Sequence, residues 1–316
     1  MCRGTGLFST VVAALVPVVL WTSGTLAART VEKRPVPQAP PTEIYVASLS
    51  IDAFPLTGGT PTNISNNPGY DNQPSFLPDG SGLLFSSNRD GKQTDIYRYD
   101  FATKALTQLT RTPDSEYSPI VTPDRKTFSV VRQETDGTQR LWRFDLDGSN
   151  PQLVFENVKQ IGYHAWIDDT HVALFVLGGS GEPNTLQLAD VATGKTEVVD
   201  KGIGRSLQIR PRTGTLTYVS KPQGAHWVIK ELDPKTRAIV TLTDTVDDNT
   251  SEDFTWHQAR PWLLMGQGTK LFGWNAQGGW REVGAYTGIG RITRLAAAPF
   301  VGGAQPRLAL VAEPAR

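Results

Sequence analysis

The chain has almost no cysteine. Among its 316 residues the only one is Cys2. Past the extreme N-terminus this excludes a disulfide framework, a thiolate nucleophile and a cysteine metal site. Net charge is missing too, since 31 Lys and Arg balance 31 Asp and Glu. A neutral chain has no electrostatic reason to bind nucleic acid or an anionic membrane, so neither is an expected partner. Histidine is scarce: His164, His171, His226 and His257 do not pair at metal-ligand spacing. There is no Gly-rich phosphate loop. The Gly-x-Ser-x-Gly elbow of serine hydrolases is also absent. Its nearest string, Gly178-Gly179-Ser180-Gly181-Glu182, lacks the last Gly and falls in an expected loop. No metal, cofactor or catalytic residue is implied.

What is present at the N-terminus is a leader. Arg3 precedes the apolar run LFSTVVAALVPVVLW (7–21), and Thr25-Leu26-Ala27 fits a small-x-Ala cleavage site. Residues 1–27 read as a secretory signal peptide. The run contains Pro17 and is short for a membrane span of about 20 residues, so no stable insertion is expected after cleavage. Cys2 lies far from the cleavage site, unlike a lipoprotein cysteine. Export without disulfides fits a bacterial periplasm, and the expected location is periplasmic or secreted. Residues 28–42 are Pro-rich and charged and read as an extended linker. Composition is uniform over 43–316, which reads as one domain.

Gly, Pro and Trp are frequent, and 39% of residues are hydrophobic, which suits strands and turns around a sizeable core. Residues 75–100 read SFLPDGSGLLFSSNRDGKQTDIYRYD. The apolar runs LLFSS and DIYRYD are bounded by Asp-Gly turn signals, where Gly supplies positive φ. The unit recurs. Anchors Phe76, Val121, Trp166, Ile209, Trp256 and Ala297 stand at intervals of 45, 45, 43, 47 and 41. A period of about 40–45 residues is that of four-stranded propeller blades. Six copies of the first and second strands follow from Phe76 onward, but only five of the third and fourth. The missing pair stands at the front, EIYVAS (43–48) and TPTNIS (60–65). The expected fold is all-β: a six-bladed propeller of four antiparallel strands per blade, closed by N-terminal strands pairing into the last blade.

These residues resemble the WD40-like propeller repeat of the TolB type. The resemblance rests on Leu77-Pro78-Asp79-Gly80, Ser87-Asn88-Arg89-Asp90-Gly91 and Ile96-Tyr97. A second copy keeps Thr122-Pro123-Asp124, Asp136-Gly137 and Leu141-Trp142, and later copies degrade. It spans about 43–311 and concerns the propeller part only. It implies an envelope protein that binds a partner.

In a propeller, the loops leading into the innermost strands gather at one mouth of the central channel. Here they supply Asp71, Asn72, Gln73, Glu116, Tyr117, Tyr163, His164, Arg205, Ser206, Glu252, Asp253, Arg291 and Arg294. Tyr offers buried area and Arg forked hydrogen bonds, as a peptide or protein-loop site requires. The first reading is a monomeric, non-enzymatic propeller that binds an envelope protein or peptide, with exposed mouth arginines that contribute little to folding. A second is a propeller hydrolase or lyase, or a metal-dependent binder, using Asp71, Glu116, Glu252, Asp253 and His164. A third is a scaffold alone.

Overall fold

The computed structural model describes Met1 and residues 40–50, 55–247, 251–302 and 306–315. The expected signal peptide, and the linker up to residue 39, lie outside the described residues.

Six sheets, each built on four antiparallel strands, follow one another along the chain. Blade 1 spans residues 71–108, blade 2 residues 115–153, blade 3 residues 161–201 and blade 4 residues 203–244. Blade 5 covers 254–286, and blade 6 joins 292–312 to strands from the N-terminus. No helix occurs among the described residues. Each anchor ends the innermost strand of its blade, from Phe76 in Asp71–Phe76 to Ala297 in Ile292–Ala297.

The second strands explain the apolar runs. Every residue of Gly82–Ser87 and of Leu216–Ser220 is buried. Both faces of such a strand are covered, because a blade lies between two others. Alternate side chains then serve alternate neighbours. Leu83 and Phe85 pack with Ile44, Ala309 and Val311 of blade 6, while Leu84 packs with Phe128 and Val130 of blade 2. The same parity holds around the ring, so the core is six apolar clusters, one at each blade interface. The outermost strands are the exposed ones, as in Thr196–Lys201 and Ile239–Asp244.

The Asp-Gly turns hold as expected. Gly80 and Gly91 take φ of 70° and 71°. The Asp79 carboxylate accepts from the Ser81 amide at 3.0 Å, closing the turn.

Closure also follows the expected pattern. Glu43–Ser48 pairs antiparallel with Arg307–Ala312, with Glu43 opposite Ala312 and Ser48 opposite Arg307. Thr62–Asn63 adds the outermost strand. One element was not legible in advance. Thr57–Gly59 leaves blade 6 and pairs parallel with the outer strand Gly279–Tyr286 of blade 5. Leu49, Ser50 and residues 55–60 thus form a strap over the interface between blades 5 and 6, with Leu49 and Leu56 buried in its core.

Candidate functional site at the channel mouth

The inner strands carry the site. In five of the six blades the inner strand shifts register against its neighbour, for example between Asn72 and Ser75 and between Tyr117 and Ile120. Such bulges bend a strand and re-aim its side chains. Gln73 and Ser118 occupy the same place in blades 1 and 2 and both take positive φ, 55° and 53°. Gln73 Oε1 accepts from the Ser118 amide at 3.2 Å, tying the two blades together. Ser206 Oγ accepts from the Phe254 amide at 3.3 Å between blades 4 and 5.

Two cavities lie in series on the ring axis. The mouth pocket, about 340 Å³, is lined by Asn72, Tyr163, Arg205, Glu252, Arg291 and Arg294, together with Tyr70, Trp227 and Glu313. The channel cavity, about 320 Å³, includes Gln73, Ser118, His164, Ser206 and Asp253 and reaches the anchors Phe76, Trp166 and Ile209. Tyr163, Arg205 and Arg294 line both and form the neck between them.

The neck is an ion network. Arg205 Nε donates to Asp253 Oδ2 at 2.9 Å and stands 3.1 Å from Glu252 Oε1. Arg294 Nη1 stands 3.3 Å from Asp253 Oδ1, and Lys221 Nζ pairs with Glu252. Burial would push the Asp253 carboxyl up, but Arg294 and Arg205 together hold it below the usual carboxylate range. Asp253 in turn raises Arg205. The Arg294 guanidinium lies 5.0 Å over the Tyr163 ring. At the rim, Arg291 Nη2 donates to Glu313 Oε1 at 2.6 Å.

Most sequence-selected residues therefore meet here, but three do not line either cavity. Asp71 and Glu116, expected at the mouth, are fully buried inside the ring. Asp71 accepts from Asn67 at 3.0 Å and lies 3.8 Å from Arg89. Glu116 lies 3.4 Å from Arg132 Nε and accepts from Thr112. Burial pushes Asp71 up to about 6 and Glu116 up to about 7. Tyr117 packs edge-on against Tyr70, ring centres 6.5 Å apart, and so supports the mouth from behind. Arg205 is a further correction. Expected as a free exposed charge, it is committed to Asp253 and Glu252. Reversing its sign would place a third carboxylate beside those two and damage the fold.

His164 is buried, and its Nε2 lies 2.7 Å from Ser129 Oγ, which also accepts from the Trp166 indole at 2.8 Å. Burial pulls its pKa down to about 3, so it is neutral. His257 Nδ1 accepts from the Ala259 amide and Nε2 donates to the Ser50 carbonyl at 3.2 Å, which ties blade 5 to the strap. His171 pairs with Asp168 at 3.0 Å on the surface. Gly178 to Glu182 lies in the loop between Val176 and Thr185. Among the described residues no group of three or more His, Cys, Asp or Glu is placed to hold a metal ion.

Tyr70, Lys221, Trp227 and Glu313 were missed. Lys221 and Trp227 lie between second and third strands of blade 4. Second strands run back toward the mouth, so their following loops reach it too. The antiparallel order was itself the signal for this.

Comparison with known proteins agrees with the architecture. Residues 41–160 match the TolB beta propeller domain family. An uncharacterised protein of Agrobacterium fabrum is 30% identical over 116 residues, which is 36% of this chain and 38% of that one. The chain thus matches well under half the length of this curated relative. Among solved structures, a putative TolB from Agrobacterium tumefaciens superposes with a TM-score of 0.65 at 14% identity, covering 88% of this chain and all of that one. TolB from Acinetobacter baumannii gives 0.57 at 15% identity, covering 87% and 65%. An oligogalacturonate lyase in complex with manganese gives 0.56 at 16%, covering 80% of each. Likenesses this distant concern the fold. The match to the TolB-type repeat covers residues 41–160, and the ring is a six-bladed propeller.

Proposed function

We propose that this is an exported, non-catalytic propeller that holds a protein or peptide partner of the cell envelope at the mouth of its channel. The observation that carries this reading is the mouth pocket itself. Tyr70, Tyr163 and Trp227 offer aromatic area beside Arg205, Arg291 and Arg294, above a neck lined by paired charges. Aromatic and Arg side chains are the residues that dominate protein-binding sites. Export to the envelope rests on the leader sequence at 1–27.

The acids and imidazole of the hydrolase-or-metal reading are poorly placed for chemistry. Asp71 and Glu116 are sealed from the channel, and Asp253 and Glu252 are neutralised by cations. His164 is neutral with Nε2 engaged. A general acid or base must reach the substrate proton and be free to exchange it; Asp71 and Glu116 line neither cavity, and Glu252 and Asp253 are held by Lys221, Arg205 and Arg294.

The test is site-specific photo-crosslinking in cells that naturally make the protein. A photoreactive residue at Thr293, in the mouth, is expected to give one discrete adduct with an envelope protein. The same residue at Val240, exposed on the outer strand of blade 4, is expected to give none. Arg291→Glu should weaken the Thr293 adduct while leaving the melting temperature unchanged, because among the described residues Arg291 pairs only with Glu313 and its side chain is 47% exposed. Adducts from Val240 but not from Thr293 would move the site to the blade flanks.

A further inference from the structure

Among the described residues the mouth is short of one negative charge. Four cations, Arg205, Lys221, Arg291 and Arg294, face three carboxylates, Glu252, Asp253 and Glu313, leaving one positive charge over. The shortage falls on Arg294. Glu252 serves Lys221 and Arg205, and Glu313 serves Arg291. Asp253 is shared, and Arg205 takes it by two hydrogen bonds. Arg294 has only the 3.3 Å contact from Nη1 and makes no hydrogen bond among the described residues. Its Nε is buried without a partner, and its side chain is 15% exposed. A guanidinium carries five donors, and leaving them unfilled away from water is costly. The Tyr163 ring, 5.0 Å from its guanidinium carbon, packs against it and restricts its movement.

We propose that the ligand of the mouth presents a carboxylate, received by Arg294 with Arg291 beside it. The proposal rests on the mouth being the binding site and names the chemistry it selects. A carboxylate on Arg294 makes a charge-assisted, two-pronged contact and brings the cluster to neutrality. The geometry also favours a chain end. Tyr163, Arg205 and Arg294 line both the mouth pocket and the channel cavity, so a chain end entering from the mouth meets Arg294 where the two adjoin. A C-terminal carboxylate and an acidic side chain share this chemistry, and the experiment separates them.

The probes are three short peptides: acetyl-Gly-Tyr-Gly with a free C-terminus, the same peptide amidated, and amidated acetyl-Gly-Asp-Tyr. Each is titrated into ¹⁵N-labelled protein while the arginine Nε–H signals are followed. The free acid should shift the Arg294 and Arg291 signals saturably, and the amidated Gly-Tyr-Gly should bind at least about tenfold more weakly, a single charged contact being lost. A shift with the amidated Asp peptide alone assigns the site to acidic side chains; a shift with the free acid alone assigns it to chain ends. Arg294→Gln should remove the preference for acid over amide, as should Arg291→Gln in part, the second variant guarding against misfolding of the first. Lys235→Gln, on a distant turn, should retain it. Equal binding of acid and amide at the mouth overturns the carboxylate proposal while leaving the mouth as the site. Signals that move only away from the mouth overturn both, and arginine signals unmoved by all three probes overturn the proposal.

Discussion

Glu116 and Asp71 hold the same place in successive blades, 45 residues apart, and both are buried acids. Glu116 in the folded chain keeps its proton to about pH 7, against 4.5 for an ordinary Glu. Between those values the folded state binds more protons than the unfolded one. This group's contribution to stability is therefore complete below about pH 4.5 and lost as pH rises through 7. Asp71 acts likewise between 3.8 and about 6. His164 acts in the opposite sense: neutral in the fold down to about 3, it takes a proton in the unfolded chain below 6.5. Its contribution is complete above pH 6.5 and lost as pH falls toward 3. Between pH 6.5 and 5 the protein gains stability from Asp71 and Glu116 and gives some of it up at His164 and at His257, whose imidazole burial also holds below its ordinary value. Glu116→Gln should weaken that gain by about 1.4 kcal/mol per pH unit, and His164→Gln should strengthen it by a similar amount. Urea unfolding at both pH values is the measurement, and identical pH slopes for all three proteins would refute the assignment. These acids looked like mouth residues because spacing gives equivalence, not facing. Successive side chains of a strand face opposite ways, so Asn72 lines the mouth while Asp71 beside it is buried, and nothing in the letters 71–76 marks which faces in.

Elements were legible where they were periodic. The second strands read as apolar runs because both faces meet a blade, and the third strands of the six copies could be matched in order. The strap could not be read. Its pairing segment, Thr57-Gly58-Gly59, has no alternation, and parallel pairing carries no hairpin signal. Its glycines have a function all the same. A Cβ on Gly284 would overlap the Thr57 carbonyl, and one on Gly58 would press on the Ala285 carbonyl at 3.2 Å. Only bare backbone permits the approach. Gly284→Ala should therefore lift the strap from blade 5, at a cost of about 1–3 kcal/mol. Hydrogen exchange would locate the loss. The Leu56 amide, bonded to the Val283 carbonyl, and the Thr287 amide, bonded to the Gly59 carbonyl, should exchange faster. Amides of Thr127–Gln133 in blade 2 should keep their protection. Equal protection of Leu56 in both proteins would mean that the strap is held by something other than this contact.

The ring as a whole has no self-sufficient part, since its core is divided among six interfaces. The N-terminal strands enter two of them at once. Tyr45, Ala47, Leu49 and Leu56 belong to the cluster between blades 5 and 6, while Ile44 and Ile64 belong to that between blades 6 and 1. A fully buried large apolar side chain is worth about 1.5–3 kcal/mol. Losing Ile44, Tyr45, Leu49, Leu56 and Ile64 together removes on the order of 10 kcal/mol, comparable with the whole stability of an ordinary domain. Deletion also strips the Arg307–Ala312 strand of its partner and leaves an apolar edge open to other chains. A chain beginning at Asn66 is therefore expected to aggregate. A chain lacking only residues 29–38 removes none of these contacts and should melt with the parent. If closure is by strand pairing, covalent continuity is dispensable. A synthetic peptide of residues 40–65, added during refolding of the shortened chain, should restore a soluble monomer with protected Arg307–Ala312 amides. A shortened chain that melts at the parent's temperature without the peptide would show that five blades and a hairpin already make a stable ring.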